Sequence, residues 1–179
     1  MVETVSLRLA ADDEDLKFLS GLARDPAVEP YLAPGRGEPA ALAELAAPAS
    51  EAPAGLYLIE GPGGRSVGGL AVAVVNRRSR ICEITRVMLH PDARGAGLAS
   101  AAVRRAAETA LVDHGLHRIE AQVYGDNGAG QRLFERAGFR REGIRRCAYW
   151  RRGQWLDGVY YGLLAEELNQ PARASARVM

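Results

Sequence analysis

The sequence predicts a single-domain α/β (α+β) protein, layered around one mixed sheet. Three observations carry that expectation. Period-two apolar stretches are interleaved along the chain with stretches of helical spacing, the pattern of strands and helices packed in layers. The 179 residues suffice for one sizeable core. No internal repeat and no break in composition offers a place to divide the chain in two.

Taken in order, Val5, Leu7 and Leu9 alternate with polar neighbours and form a short strand over 4–10. Asp12 caps the helix that follows, Asp15 favours its first turn, and Leu16, Leu19 and Leu22 mark its apolar face. DPAVEPYLAPG (25–35) breaks that helix. Pro39, Leu42 and Leu45 define a second short helix ending near Pro48, and a Pro/Ala/Ser-rich loop runs over 48–55. GLYLIE (55–60) and SVGGLAVAVV (66–75) flank GPGGR and read as a hairpin. NRRSR turns the chain into a strand at ICEITRVML (81–89). A helix over about 97–112 follows, buried through Val103, Ala106 and Ala110, and then the strand IEAQVY (119–124). Ala129, Leu133 and Ala137 space a helix over about 129–137, closed by Gly138-Phe139. Strands at IRRCAYW (144–150) and WLDGVYYGLL (155–164) flank the turn RRGQ, and a short helical stub precedes a frayed tail at 169–179.

Bulk composition excludes several classes. With 47% hydrophobic and 25% charged residues the chain is an ordinary globular one, and a net charge of +1 gives no global reason to bind nucleic acid. Cys82 and Cys147 lie in apolar, strand-like runs without CxxC spacing, so both are read as buried thiols rather than disulfide partners or zinc ligands. His90, His114 and His117 show no metal-ligand spacing, and no metal is expected. The N-terminal stretch has acidic residues where a signal peptide needs an apolar core, and no run reaches the length of a membrane span. A reduced, cytoplasmic protein is the expectation.

The informative stretch is RGAGLA (94–99), placed between a strand and a helix. Glycines there let backbone N–H groups converge on an anion, and the first amides of a helix lack intrahelical partners. Gly95 and Gly97 supply the turn; the amides of Leu98, Ala99 and Ser100 begin the helix, and the Ser100 hydroxyl adds a donor. A plain structural turn explains the same residues. No GK[ST] follows, so this is not a P-loop, and the acidic ribose ligand of a dinucleotide fingerprint has no candidate in a following strand.

The run VMLHPDARGAGLASAAV (87–103) resembles the acetyl-coenzyme A signature of the GNAT superfamily of N-acetyltransferases, Q/R-x-x-G-x-G/A, here Arg94 to Ala99. The second landmark of that family, an asparagine before a helix ending in Gly-Phe, is matched by NGAGQRLFERAGF (127–139). SLRLAADDEDL, DPAVEPYL and WLDGVYYGLL further resemble the branch holding the ribosomal-protein N-terminal acetyltransferases, and the likeness spans about residues 5–168. The resemblance implies an N-acetyltransferase domain over 1–168, with a mostly antiparallel central sheet and helices on both faces. It implies that amides from Arg94, Gly95, Ala96, Gly97, Leu98, Ala99 and Ser100 hold the pyrophosphate of acetyl-CoA. Backbone groups of Val87 and Leu89 would bond its pantetheine arm in a splay between strands 81–89 and 119–124. An amide near Met88 or Leu89 would polarise the thioester carbonyl, and Asn127 would contact the arm.

One departure matters. Phe134 stands where family members carry a tyrosine that protonates the leaving thiolate, and a phenyl ring donates no proton. Tyr124 and Ser100 are substitutes by type. Glu83 is the candidate base for the attacking amine, provided strand alternation puts 83, 85 and 87 on one face; a solvated strand carboxylate is the plainer reading. Glu120 and Asp157 are weaker alternatives, and His90 reads as a turn residue. Tyr31 and Trp155 are candidates for an acceptor pocket, while Trp150, Trp155, Tyr160 and Tyr161 pack the sheet or a homodimer contact. Six arginines at 140, 141, 145, 146, 151 and 152 form a solvated face or a basic rim. The acceptor implied by the branch is a protein N-terminal amine attacking the thioester directly. A small amine (antibiotic, polyamine or amino acid) is the alternative acceptor, and a coenzyme A-binding protein without transfer activity is the alternative of another class.

Overall fold

The computed structural model describes residues 5–46 and 52–168. The expected tail at 169–179, and the first half of the expected loop at 48–55, lie outside the described residues. The strands are β1 (Ser6–Leu9), β2 (Gly55–Glu60), β3 (Ser66–Asn76), β4 (Ile81–Leu89), β5 (Arg118–Tyr124), β6 (Arg140–Arg151) and β7 (Gln154–Leu164). They form one sheet in the order β1-β2-β3-β4-β5-β7-β6, antiparallel throughout except between β4 and β5. The helices are α1 (Asp13–Ala23), α2 (Pro39–Ala46), α3 (Leu98–Glu108) and α4 (Gly128–Arg136). The expected mixed, mostly antiparallel sheet is therefore the observed one.

Alternation along the inner strands sorts side chains onto two cores. Ile59, Leu70, Val72 and Ile84 pack with Ala102, Val103 and Ala106 of α3 and Phe134 of α4. Leu56, Leu58, Ala71 and Met88 pack on the other face with Leu19 and Leu22 of α1 and Leu42 of α2. The parallel β4–β5 pair needs a crossover, and α3 supplies it. Helical structure continues past α3 as a π-helical turn over Thr109–Asp113, so the expected helix is present with altered hydrogen bonding at its end.

Asp12 caps α1 as expected, its carboxylate accepting the Asp15 N–H at 2.9 Å. Asp15 does more than favour the first turn. Its buried carboxylate accepts both Arg8 Nη groups, at 2.7 and 2.8 Å, and the Ala11 N–H at 2.9 Å. That fork ties α1 to β1, and the Arg8 hydrogen bonds hold the carboxyl below its ordinary range.

The β6–β7 hairpin departs most from expectation. Its turn places Arg152 and Gly153 at φ +50° and +76°, the geometry of a two-residue hairpin loop. β6 begins at Arg140, four residues earlier than its apolar pattern showed, because an edge strand pairs on one side and tolerates polar residues on both faces. For the same reason Arg140, Arg141, Arg145 and Arg146 are all exposed. Cys147 is exposed too, contrary to expectation, because it sits in a bulge at φ +48° with its N–H donated to Asp157 Oδ1. Cys82 is buried, and burial pushes its thiol up to about 12. Trp150 and Trp155 are exposed and meet edge to face at 5.3 Å, whereas Tyr161 is fully buried.

No helix among the described residues is long and apolar enough to cross a membrane. No group of three or more His, Cys, Asp or Glu there is placed to hold a metal ion.

Candidate active site

Strand β4 decides the geometry of the site. It pairs with β5 from Ile81↔Arg118 to Ile84↔Ala121 and no further, although β4 runs on to Leu89 and β5 to Tyr124. Beyond that point β4 stays bonded to β3, and β5 to β7. The sheet therefore opens between these two strands, where the family resemblance implied a splay.

A bulge accompanies the opening. Thr85 opposes Ala71 and Met88 opposes Gly69, so Arg86 and Val87 together face Leu70. Arg86 is held at φ +52°, a left-handed conformation costing about 1 kcal/mol or more for a non-glycine residue. The bulge breaks the alternation assumed for residues 83, 85 and 87. Met88, not Val87, continues the face of Thr85 and joins the core under α1, while Val87 packs toward the α3 side.

At one end of the splay, His90 to Gly97 form the turn into α3. His90 behaves as a turn residue, its Nδ1 accepting the Asp92 N–H at 3.3 Å. Gly95 and Gly97 have φ of +88° and +81°, and a Cβ on either would meet no protein atom within 4 Å. Gly97 is the N-cap of α3 and offers no side-chain acceptor, so the first-turn amides of Leu98, Ala99 and Ser100 have no side-chain cap. The Arg94 guanidinium donates to the carbonyls of Leu89 and Ala27 at 3.2–3.3 Å. It fastens the turn to β4, leaving the backbone of the turn exposed to the cavity.

A cavity of about 320 Å³ lies against this turn. Val87, Met88, Leu89, Arg94, Gly95, Gly97, Leu98, Ala99, Ser100 and Asn127 all line it. Ala96 belongs to the same turn but does not line the cavity. Arg132 and Arg136 of α4 do, adding two cations that the sequence reading missed. Their signal was present: both lie one helical turn apart in the motif that Asn127 begins.

A second cavity of about 240 Å³ holds Glu83 and Phe134. Tyr31, Leu32, Val87, Asn127, Gly130 and Leu133 line both cavities, so the two form one trough through the splay. Asn127 Oδ1 accepts the Gly130 N–H at 2.9 Å and caps α4. A Cβ at Gly130 would stand 2.7 Å from Asn127 Nδ2 and 3.0 Å from Val123 Cγ1, closer than ordinary contact, so a side chain there would displace the cap.

Burial raises the Glu83 carboxyl above its ordinary range, partly offset by the charge of Arg36. Phe134 is buried, stacked on Tyr161 at 6.0 Å and edge-on to Phe139 at 5.2 Å. Tyr124 lines the cavity beside Tyr149, and burial raises its phenol. Arg151 lies over the Tyr124 ring at 5.7 Å, and its buried Nε has no hydrogen-bond partner among the described residues. Ser100 lies at the turn, away from Glu83. Glu120 pairs with Arg118 at 3.1 Å and Asp157 accepts the Cys147 N–H, and neither lines the trough. Trp155 does not line it either, whereas Tyr31 does. Arg36, Arg86, Gln122 and Tyr149 are wall residues the sequence reading did not single out.

The family model for the acetyltransferase (GNAT) domain matches residues 5–140. The chain belongs to the GNAT acetyltransferase family. YnaD, an uncharacterized N-acetyltransferase of Bacillus subtilis (strain 168), is 32% identical over 82 residues, covering 46% of this chain and 48% of that protein. YjcK, a probable N-acetyltransferase of the same strain, is 41% identical over 70 residues, 39% of each chain. The chain thus spans about half, or less, of the length of these curated relatives. The spermidine N-acetyltransferase of Vibrio cholerae, solved in complex with CoA and spermine, superposes with a TM-score of 0.78 at 22% identity, covering 92% of this chain and 97% of that one. A GNAT-family acetyltransferase of Bacillus anthracis gives a TM-score of 0.77 at 23% identity, covering 93% and 98%. These likenesses show the GNAT fold; the ribosomal-protein branch expected from the sequence is not the one they represent.

Proposed function

We propose that this GNAT protein is an acetyl-CoA-dependent N-acetyltransferase whose acceptor is a small primary amine. The observation that carries the reading is the continuous trough, with an uncapped glycine turn at one end and the half-buried Glu83 at the other. The structural likeness to a spermidine enzyme favours a small amine over the protein N-terminus that the sequence implied.

The residues present fit the coenzyme. Gly95 and Gly97 leave open space where side chains would stand, and α3 offers uncapped amides to a pyrophosphate. Arg132 and Arg136 add positive charge on the same cavity. Backbone groups of Val87 and Leu89 hold the pantetheine arm in the place of a missing strand, and the Asn127 amide flanks it. Bound acetyl-CoA supplies the thioester carbon that the amine attacks. An N–H near Met88 or Leu89 polarises the carbonyl. Glu83 takes the proton that the attacking amine loses, directly or through water; its raised carboxyl suits a base that must hold that proton. Phe134 has no proton to give the departing thiolate; of the tyrosines on the cavity wall (Tyr31, Tyr124 and Tyr149), Tyr124, on the strand that parts from β4, is assigned that role.

The test is release of coenzyme A thiol from acetyl-CoA against small amines and short N-terminal peptides, with products weighed by mass spectrometry. Acetylation of a small amine is the expected result. Acetylation of peptides alone moves the acceptor back to a protein N-terminus. Coenzyme binding without any acetylated product makes the protein a binding module, the outcome that the tyrosine-to-phenylalanine departure at Phe134 would favour.

A further inference from the structure

The acceptor end of the trough carries the wrong charge for a polyamine. Its charged wall residues are Arg36, Glu83 and Arg86, two guanidiniums against one carboxylate. A polyamine holds a positive charge at each amine near neutral pH, and such a wall repels every charge beyond the one that Glu83 can offset. Arg151, over the Tyr124 ring, is paired with Glu29 at 3.7 Å and leaves that balance as it is.

Arg86 is built for more than spacing. It occupies the bulge at φ +52°, where a glycine would sit without strain, yet carries the longest cationic side chain onto the cavity wall. Its Nε donates to the Arg36 carbonyl at 2.9 Å and its Nη1 to Thr85 Oγ1 at 3.2 Å, which fixes the plane of the guanidinium. Two of five N–H groups are used, and the rest of the fork is available to an anion. Glu44 and Glu83 are the carboxylates whose fields reach it, and neither lies within ion-pair distance. Of the two, Glu44 lies outside the cavity lining.

We propose that the acceptor is an amine bearing an anionic group, a carboxylate or a phosphate, gripped by Arg86 and Arg36 while the amine faces Glu83. This rests on the reading of the trough as an acetyl-transfer site. It names the class of substrate that site selects. An anion at Arg86 relieves the mutual repulsion of two arginines and forms charge-assisted hydrogen bonds with a guanidinium already held in place. The cationic ammonium of the same molecule is drawn to Glu83, so the two charged ends are read by oppositely charged residues of one small cavity.

The experiment compares matched acceptors on the intact protein with saturating acetyl-CoA: 4-aminobutyrate against 4-aminobutanamide, O-phosphoethanolamine against ethanolamine, and spermidine. The expected result is a kcat/KM about 30-fold higher for one anionic member than for its neutral partner, with spermidine poorest. Which pair shows the preference tells carboxylate from phosphate. Arg36→Gln, at an exposed position, and Arg86→Lys are expected to raise KM for the anionic acceptor about tenfold and leave the neutral one within about twofold. Equal use of charged and neutral partners, or preference for spermidine, overturns the proposal while acetyl transfer stands. Loss that is uniform over all amines in both variants makes the arginines structural and also overturns it. Failure to acetylate any amine or peptide, with the coenzyme bound, removes the transfer reading and this proposal together.

Discussion

At the proposed cradle end of the trough the groups on offer are backbone amides held by two left-handed glycines and the start of α3. At the acceptor end they are side chains from separate elements: Tyr31 and Arg36 from the segment between α1 and α2, Glu83 and Arg86 from β4, Tyr124 from β5 and Tyr149 from β6. The difference teaches how one fold can keep a coenzyme and change its acceptor. Replacing a cradle side chain leaves the amides in place, whereas replacing an acceptor wall residue changes shape and charge directly.

The sharpest break of that contrast is Glu83→Gln. It is expected to lower kcat about 100-fold while leaving coenzyme affinity, read by calorimetry, unchanged. The wild-type rate should rise with pH through a limb set by Glu83. Burial raises that carboxyl, so the limb lies above the ordinary value near ~4.3, and the variant should lack it. A variant with full turnover would assign the base elsewhere.

Next in size is Gly97→Ala, at φ +81°. Left-handed strain of about 1–2 kcal/mol, with a methyl group placed at the cradle, is expected to weaken coenzyme binding on the order of 10- to 30-fold. Turnover at saturating coenzyme should change little, the reverse of the Glu83 result. Tyr124→Phe should lower kcat about tenfold, with Phe134→Tyr restoring little in that background. Full restoration would show that position 134 reaches the thiolate despite its packing on Tyr161. Ser100→Ala should matter least, changing coenzyme affinity by no more than about threefold, because its backbone amide remains.

How legible each end was follows from the same contrast. RGAGLA announces the cradle in consecutive residues, since positive φ demands glycine and the helix start follows at once. Asn127 was singled out through the family motif as a contact for the pantetheine arm; its capping of α4 through the Gly130 N–H emerged only in the structure. Arg36 and Arg86, fifty residues apart, carry no local mark of their meeting. Nor does the bulge at Arg86–Val87, because a register shift belongs to the pairing of β4 with β3 and not to either strand alone. Cys147 and the exposed arginines of β6 misled for a related reason. An apolar run gives no sign of whether a strand lies inside a sheet or at its edge.

By itself, then, the sequence determined the order of elements, the glycine turn before α3, the cap of α1 and a carboxylate on the strand leading into the turn. These rest on backbone conformations and spacings that a few neighbouring residues dictate. The tertiary structure decided where β4 and β5 part, which faces Val87 and Met88 take after the bulge, which tyrosines reach the trough and which cations share the cavity with Glu83. Those depend on strand pairing and on side chains brought together from distant parts of the chain.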